Sequence, residues 1–193
     1  MTAFVLASGS PRRRELLGQL GFVFDVEAAD LDESVRRDER PAAYVERLAR
    51  EKAGAVQARR PGAVVIAADT SVVVDDEILG KPGRDAAVGA AMLRRLSGRT
   101  HQVMTGVAVA GAEVRSVVVT SDVVFRPLSE AEIAWYVSTG EGADKAGGYG
   151  SQARAGAFIQ EIRGSATSVI GLPLSEAVQL LEQAGVPMPW SRR

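Results

Sequence analysis

The segment Ser8-Gly9-Ser10-Pro11-Arg12-Arg13 gathers two hydroxyls, a glycine and two guanidinium groups at one point of the chain. Ser10-Pro11 reads as a helix start, since serine is a favoured cap and proline suits the first helical position. Unpaired N–H groups and a partial positive charge at such a start suit a phosphate oxygen. Ser8 and Ser10 add hydroxyl donors, Gly9 lets the backbone approach a ligand closely, and Arg12 and Arg13 offer fork-shaped cations. Cations in a first helical turn oppose the helix dipole by roughly a few tenths of a kcal/mol, a cost that a bound anion reverses. The plain alternative is a capped helix with exposed arginines. No G-x-x-x-x-G-K-[ST] element is present, which excludes a P-loop.

Carboxylates form a second set. Asp32, Glu33 and Asp69 are hard oxygen donors that, together with a phosphate, suit Mg²⁺ or Mn²⁺. Asp30, Asp32 and Glu33 read equally as a solvated acidic loop, the better reading for Asp30. Asp69 directly follows the unbroken apolar run Ala63–Ala68, so it is expected at the carboxyl end of a buried strand, where open α/β sheets place ligand sites. The sole histidine, His101, has no histidine or cysteine partner and is expected to be a structural strand residue. No Ser-His-Asp arrangement is plausible, which argues against acyl chemistry. The absence of cysteine rules out thiolate nucleophiles, zinc–thiolate sites and disulfides, and is compatible with a reducing cytoplasm.

The cations are unevenly chosen. Twenty are arginine and three are lysine: Lys52, Lys81 and Lys145. Lysine offers a compact ammonium on a flexible stem, so its sparing use raises the question of where that group is needed. Lys145 lies in the loop Asp144-Lys145-Ala146-Gly147-Gly148-Tyr149-Gly150-Ser151-Gln152, whose glycines permit close backbone approach to a ligand. The Gln152 amide donates and accepts at once, matching the N–H and carbonyl of a uracil edge. A plain surface loop is the alternative for glycines alone.

These residues need a scaffold. At 193 residues, 46% hydrophobic and 24% charged, the chain reads as one soluble globular domain spanning 1–193. No apolar run approaches the roughly 18–20 residues of a membrane span, and the N-terminus lacks signal-peptide character. A net charge of −1 argues against a nucleic-acid partner. Thr2–Ala7 and Phe22–Val26 are expected strands around a helix with Leu16, Leu17 and Leu20 on its buried stripe. A second helix is expected from Pro41 to about Arg59. Val45, Leu48, Ala49, Lys52, Ala53 and Val56 share its apolar face, with a Glu46–Arg50 i, i+4 pair opposite. Lys52 thus projects from the apolar side, where it either has a partner or snorkels to water. Ser71–Val74 and Ile78–Leu79 read as a hairpin around Asp75-Asp76-Glu77, and His101–Ala110 and Val114–Phe125 as a longer one. Asp85–Leu96, a helix capped by Ser129 and Glu132, and Ser175–Gln183 supply further helices, with Ala157–Ile162 as a strand. The mixture predicts an α/β fold on a mixed sheet.

Taken in order, the motifs resemble the Maf family of nucleotide pyrophosphatases over nearly the whole chain. They are Leu6–Leu17, Arg47-Leu48-Ala49-Arg50-Glu51-Lys52-Ala53, Ala68-Asp69-Thr70, Gly80-Lys81-Pro82, Leu96–Val103, Asp144–Gln152 and Gly171-Leu172-Pro173-Leu174. All three lysines fall inside them. The resemblance implies the fold of inosine triphosphate pyrophosphatases, an elongated mixed β-sheet flanked by helices with a central cleft, in a cytoplasmic homodimer. It implies metal-assisted hydrolysis of a nucleoside triphosphate between the α and β phosphates, without nucleic acid or membrane as partner. Asp69 is then the expected general base, and Glu33 and Asp69 the expected Mg²⁺ or Mn²⁺ ligands. Arg13, Lys52 and Lys81 would stabilise phosphate charge, Ser8 and Ser10 would place the phosphates, and Lys145 would orient the glycine loop.

Arg12, Thr70 and Gln152 match the branch of the family that hydrolyses dTTP and UTP. The branch preferring 7-methyl-GTP tends to carry tryptophan, glutamine and glutamate there. The alternatives are that second substrate, or a regulatory binding protein that restrains septum formation.

Overall fold

The computed structural model describes residues 4–191; Thr2 and Ala3 of the first expected strand lie outside them. In chain order the strands are β1 (Phe4–Leu6), β2 (Phe24–Val26), β3 (Val65–Val74), β4 (Glu77–Leu79), β5 (Thr100–Ala110), β6 (Val114–Phe125) and β7 (Ile159–Arg163). The helices are α1 (Pro11–Gln19), α2 (Pro41–Arg59), α3 (Ala86–Leu96), α4 (Glu130–Ser138), α5 (Ala166–Ile170) and α6 (Leu174–Gln183). Strand order is β2-β1-β3-β5-β6-β7, with β4 beside β3. β1 runs parallel to both β2 and β3, whereas the β3–β4 and β6–β7 pairs are antiparallel. This is the mixed-sheet α/β fold expected from the sequence. Among the described residues no helix is long and apolar enough to cross a membrane.

The chain divides into two compact units, and β3, β5 and β6 contribute a segment to each. The first unit comprises residues 4–69, 105–119 and 171–191. Its core is built from small side chains: Ala49, Ala53 and Val56 of α2 pack with Val65 and Ala67 of β3 and Ala108 of β5. Alanines let the helix lie close to the sheet, and at one point the backbones themselves meet. A Cβ added at Gly106 would stand 2.4 Å from the Val45 carbonyl oxygen, so only glycine fits there. The expected apolar face of α2 is buried throughout, Lys52 included. Glu46 and Arg50 do not pair directly as expected. Both bond the Ser116 hydroxyl of β6, which donates to Glu46 at 2.7 Å and accepts from Arg50 at 2.9 Å.

The second unit comprises residues 70–104 and 120–170. Val72, Leu93, Leu96, Phe125, Tyr136 and Phe158 belong to its core. The β3–β4 hairpin turns at Asp75 and Asp76, both with positive φ, as a two-residue hairpin loop requires. Ser129 and Glu132 form the expected capping box at α4. Two local expectations need correction. Residues Arg154–Phe158 form a 3₁₀ turn, and the strand begins only at Ile159, later than the expected Ala157. The short helix α5 carries too few residues to leave a periodic signature, and the sequence reading passes over it.

His101 lies in this second core and is 2% exposed. Its Nε2 shares a 2.7 Å hydrogen bond with the Tyr149 hydroxyl, and its ring meets Phe125 and Tyr149 edge to face. Burial lowers its pKa to about 4. It is the structural residue the sequence suggested.

Candidate active site

β3 does not end at Ala68. It continues without a break to Val74, so Asp69 sits inside a ten-residue strand rather than at its carboxyl end. What ends is the neighbour. β1 pairs with β3 only as far as Leu6 opposite Ile66, and Asp69 lies about 10 Å further along, at about 3.3 Å per residue. Asp69 therefore lies past the last residue of the parallel strand that precedes the Ser8–Arg13 segment. Alternation puts Asp69 on the same side of β3 as Val65 and Ala67, the side that packs with α2.

That placement explains Lys52. On the buried face of α2 its ammonium stands 2.7 Å from Asp69 Oδ1 and 2.7 Å from Glu33 Oε1. The side chains of Lys52 and Asp69 are largely buried, whereas that of Glu33 is 43% exposed. A lysine on an apolar face has a pair of carboxylates for its partner and does not snorkel. The two carboxylates are hard oxygen donors held near one another by a single cation. Among the described residues no group of three or more His, Cys, Asp or Glu side chains could hold a metal ion unaided. The donor set fits a Mg²⁺ or Mn²⁺ that brings much of its own coordination, as Mg²⁺ does with phosphate oxygens and water.

The Ser8–Arg13 segment lies in the same unit. Ser8 is buried, and its Oγ accepts from the Ser10 amide and from Arg13 Nη1, both at 3.2 Å. Arg13 Nε donates to the Gly171 carbonyl at 2.7 Å, which fixes the guanidinium from the far end of the sequence. Burial holds the Arg13 pKa below its ordinary value; the charge of Asp69 opposes this, that of Arg12 adds to it, and Glu33 opposes it weakly. Arg13 thus lies within the electrostatic reach of both carboxylates. Ser10 occupies the cap position of α1, but its side chain makes no capping bond, contrary to expectation. The Ser10 amide donates to Ser8 Oγ, a bond that lies outside the helix and leaves its first-turn amides uncapped by a side chain. Arg12 is half-buried beside it.

Thr70, Lys81 and Gln152 belong to the second unit. Lys81 and Gln152 are exposed, and Thr70 is half-buried. The Lys81 segment is tied to the glycine loop by Gly147 N to Gly80 O and to the residue just before that loop by Gly83 N to Ala143 O, each 3.0 Å. Gly147 has φ +67°, and a Cβ there would stand 2.8 Å from the Val72 side chain. Lys145 turns back onto its own loop, donating to the Glu141 carbonyl and to Asp144 Oδ1.

The model of the family described as "Maf-like protein" matches residues 3–184. The chain belongs to the Maf family. Among Maf relatives, a protein of Myxococcus xanthus named dTTP/UTP pyrophosphatase is 56% identical over 189 residues, covering 98% of this chain and 96% of that protein. One of the same name from Anaeromyxobacter dehalogenans is 56% identical over 97% of each chain. Another, from Salmonella typhimurium, is 52% identical over 94% of this chain and 92% of its own length.

Two contributions to this Maf site escaped the sequence reading. The Gly171 carbonyl holds Arg13; Gly171 opens a family motif quoted above, but no side chain announces the bond. Tyr44 and Arg47 bond the loop that carries Glu33. Arg47 opens one of the family motifs quoted above, and that was the available signal.

Proposed function

We propose that this chain hydrolyses dTTP and UTP to the nucleoside monophosphate and pyrophosphate. The observation that carries the reading is the Lys52 ammonium joining Asp69 and Glu33, in the same unit as the Ser8–Arg13 anion site. The 52–56% identity to proteins named dTTP/UTP pyrophosphatase supports the substrate.

Asp69 acts as general base. It takes a proton from a water whose oxygen bonds to the α-phosphorus, and the bond from that phosphorus to the bridging oxygen breaks, releasing pyrophosphate. Ser8, Ser10 and Arg13 orient the phosphates, and Lys52 and Lys81 offset the charge that grows on them. Glu33 and Asp69 would hold the divalent cation. When bound, Mg²⁺ or Mn²⁺ neutralises phosphate charge and polarises the phosphoryl oxygens. Arg12, Thr70 and Gln152 choose the base, with the Gln152 amide reading the paired donor and acceptor of uracil or thymine. The family resemblance further supports a cytoplasmic homodimer, which sedimentation equilibrium would test by returning twice the chain mass.

The deciding experiment is a panel of dTTP, UTP, CTP and 7-methyl-GTP with Mg²⁺ or Mn²⁺, scoring pyrophosphate against orthophosphate. Pyrophosphate from dTTP and UTP is expected. Orthophosphate as first product would mean cleavage at the γ-phosphate, and preference for 7-methyl-GTP would move the chain to the other branch.

A further inference from the structure

Glu33 sits in a stretch, residues 27–40, that forms no helix or strand. Its side chain is 43% exposed, so packing does not fix it. Its backbone, however, is held from α2. The Tyr44 hydroxyl donates to the Glu33 carbonyl at 2.8 Å, and Arg47 Nη2 donates to the Ser34 carbonyl at 3.1 Å. Two consecutive peptide groups are therefore anchored, one on each side of Ser34, directly after Glu33.

Arg47 is itself held on every side. Its Nε and Nη2 meet the Glu39 carboxylate at 2.5 and 2.7 Å, and its Nη1 meets Glu51 at 3.1 Å. The Arg47 and Glu39 side chains are 12% and 9% exposed, the lowest pair of exposures in any ion pair of this loop. The Glu39 carboxylate also accepts from the Arg36 amide at 3.0 Å, which closes the loop over the guanidinium. Burying an ion pair is a poor route to stability, because desolvation offsets most of the attraction and apolar residues of similar volume serve as well. A bidentate arginine supplies direction instead: three nitrogens are committed, and one of them reaches the peptide beside Glu33. Tyr44, Arg47 and Glu51 are spaced by three and four residues, forming a stripe on α2 beside the buried face that carries Lys52.

We infer that Tyr44 and Arg47 are positioning residues, presetting Glu33 for the divalent cation that accompanies the triphosphate. The inference rests on the proposal that Glu33 takes that cation. Such supporting groups around a metal ligand commonly alter affinity by about 10- to 100-fold.

The test uses the full chain with Mn²⁺ and α,β-methylene-UTP, whose scissile bridge cannot be hydrolysed, and reads free Mn²⁺ by electron paramagnetic resonance. Arg47→Lys keeps the charge but loses the fork, and is expected to raise the Mn²⁺ Kd about tenfold. Tyr44→Phe should shift it the same way by less. In both, amides of residues 30–40 should exchange faster, and with hydrolysable UTP excess Mn²⁺ should restore kcat. Faster exchange with unchanged Mn²⁺ affinity would overturn the inference, because the clamp would then only stabilise the loop. So would a kcat loss that excess Mn²⁺ does not recover. Glu33→Gln separates the two layers. If it weakens Mn²⁺ binding while the clamp variants do not, the positioning role alone falls; if it leaves Mn²⁺ binding unchanged, the metal assignment falls and takes the inference with it. Should Arg47→Lys not fold, Tyr44→Phe decides by the same readouts.

Discussion

The Lys52 ammonium, on the apolar face of a helix, lies 2.7 Å from a carboxylate oxygen of Asp69 in the middle of a buried strand. Asp69→Asn keeps the shape and an acceptor for Lys52, and Glu33 remains as a second partner. The loss of folding stability should stay below about 2 kcal/mol, the scale of one charged hydrogen bond. Pyrophosphate release should fall by about 10²- to 10⁴-fold, the usual contribution of a general base. Near wild-type turnover would remove Asp69 from the chemistry.

Lys52→Met behaves differently. It keeps the stem in the core but leaves Asp69 and Glu33 without their shared cation. Removing one partner of a buried pair costs about 3–5 kcal/mol, so urea denaturation should show a loss of that size together with lost turnover. A loss below about 1 kcal/mol would mean that the pair is not buried in solution.

Acid should weaken the fold in two separable steps. His101 is held neutral by burial, with its pKa at about 4 against 6.5 for the free side chain. Below pH 6.5 the unfolded chain takes up a proton that the folded chain refuses until about pH 4. Stability therefore falls across that window, by about 3 kcal/mol at 1.36 kcal/mol per pH unit. His101→Gln should flatten this slope. Glu39 acts in the same direction at lower pH, by losing an attraction instead of meeting a burial penalty: its bond to Arg47 lowers its pKa to about 2 from 4.5. Its contribution is complete above pH 4.5 and is lost as pH falls from there toward 2, a step that Glu39→Gln should abolish. Unfolding curves measured from pH 8 to pH 2 would reveal both.

Gly106→Ala tests the seat of α2. The new methyl would collide with backbone at Val45, which cannot rotate away as a side chain could. A loss of at least about 2–3 kcal/mol is expected in thermal unfolding, near the upper end for overpacking. A wild-type melting temperature would show that α2 sits further from β5 than described.

Much of this was legible in the residues. The ends of α2 at Pro41 and Arg59 and the Ser129–Glu132 capping box follow from local signals, and the structure returns them. The polar triplet Asp69-Thr70-Ser71 misled because an apolar-run rule reads polarity as a strand end, whereas Lys52 offsets the charge and lets β3 continue. The clamp around Glu33 was invisible for another reason. The motif that begins at Arg47 marks the residue but not its partners, since nothing local says that an irregular segment carrying Glu39 folds back onto the helix following it. Residues that act through the backbone carbonyls of distant segments, as Gly171 does for Arg13, leave no pattern in composition or periodicity.

The continuity of β3 through Asp69 also limits how the site can adjust. A catalytic group on a loop can travel with its backbone, but a mid-strand residue is pinned by the chain on either side and has only its own torsions to spend. Asp69 is the fixed anvil here. In the proposed mechanism water, cation and nucleotide are brought to it, so selection for a new substrate should act on the irregular segments around it and leave the strand untouched.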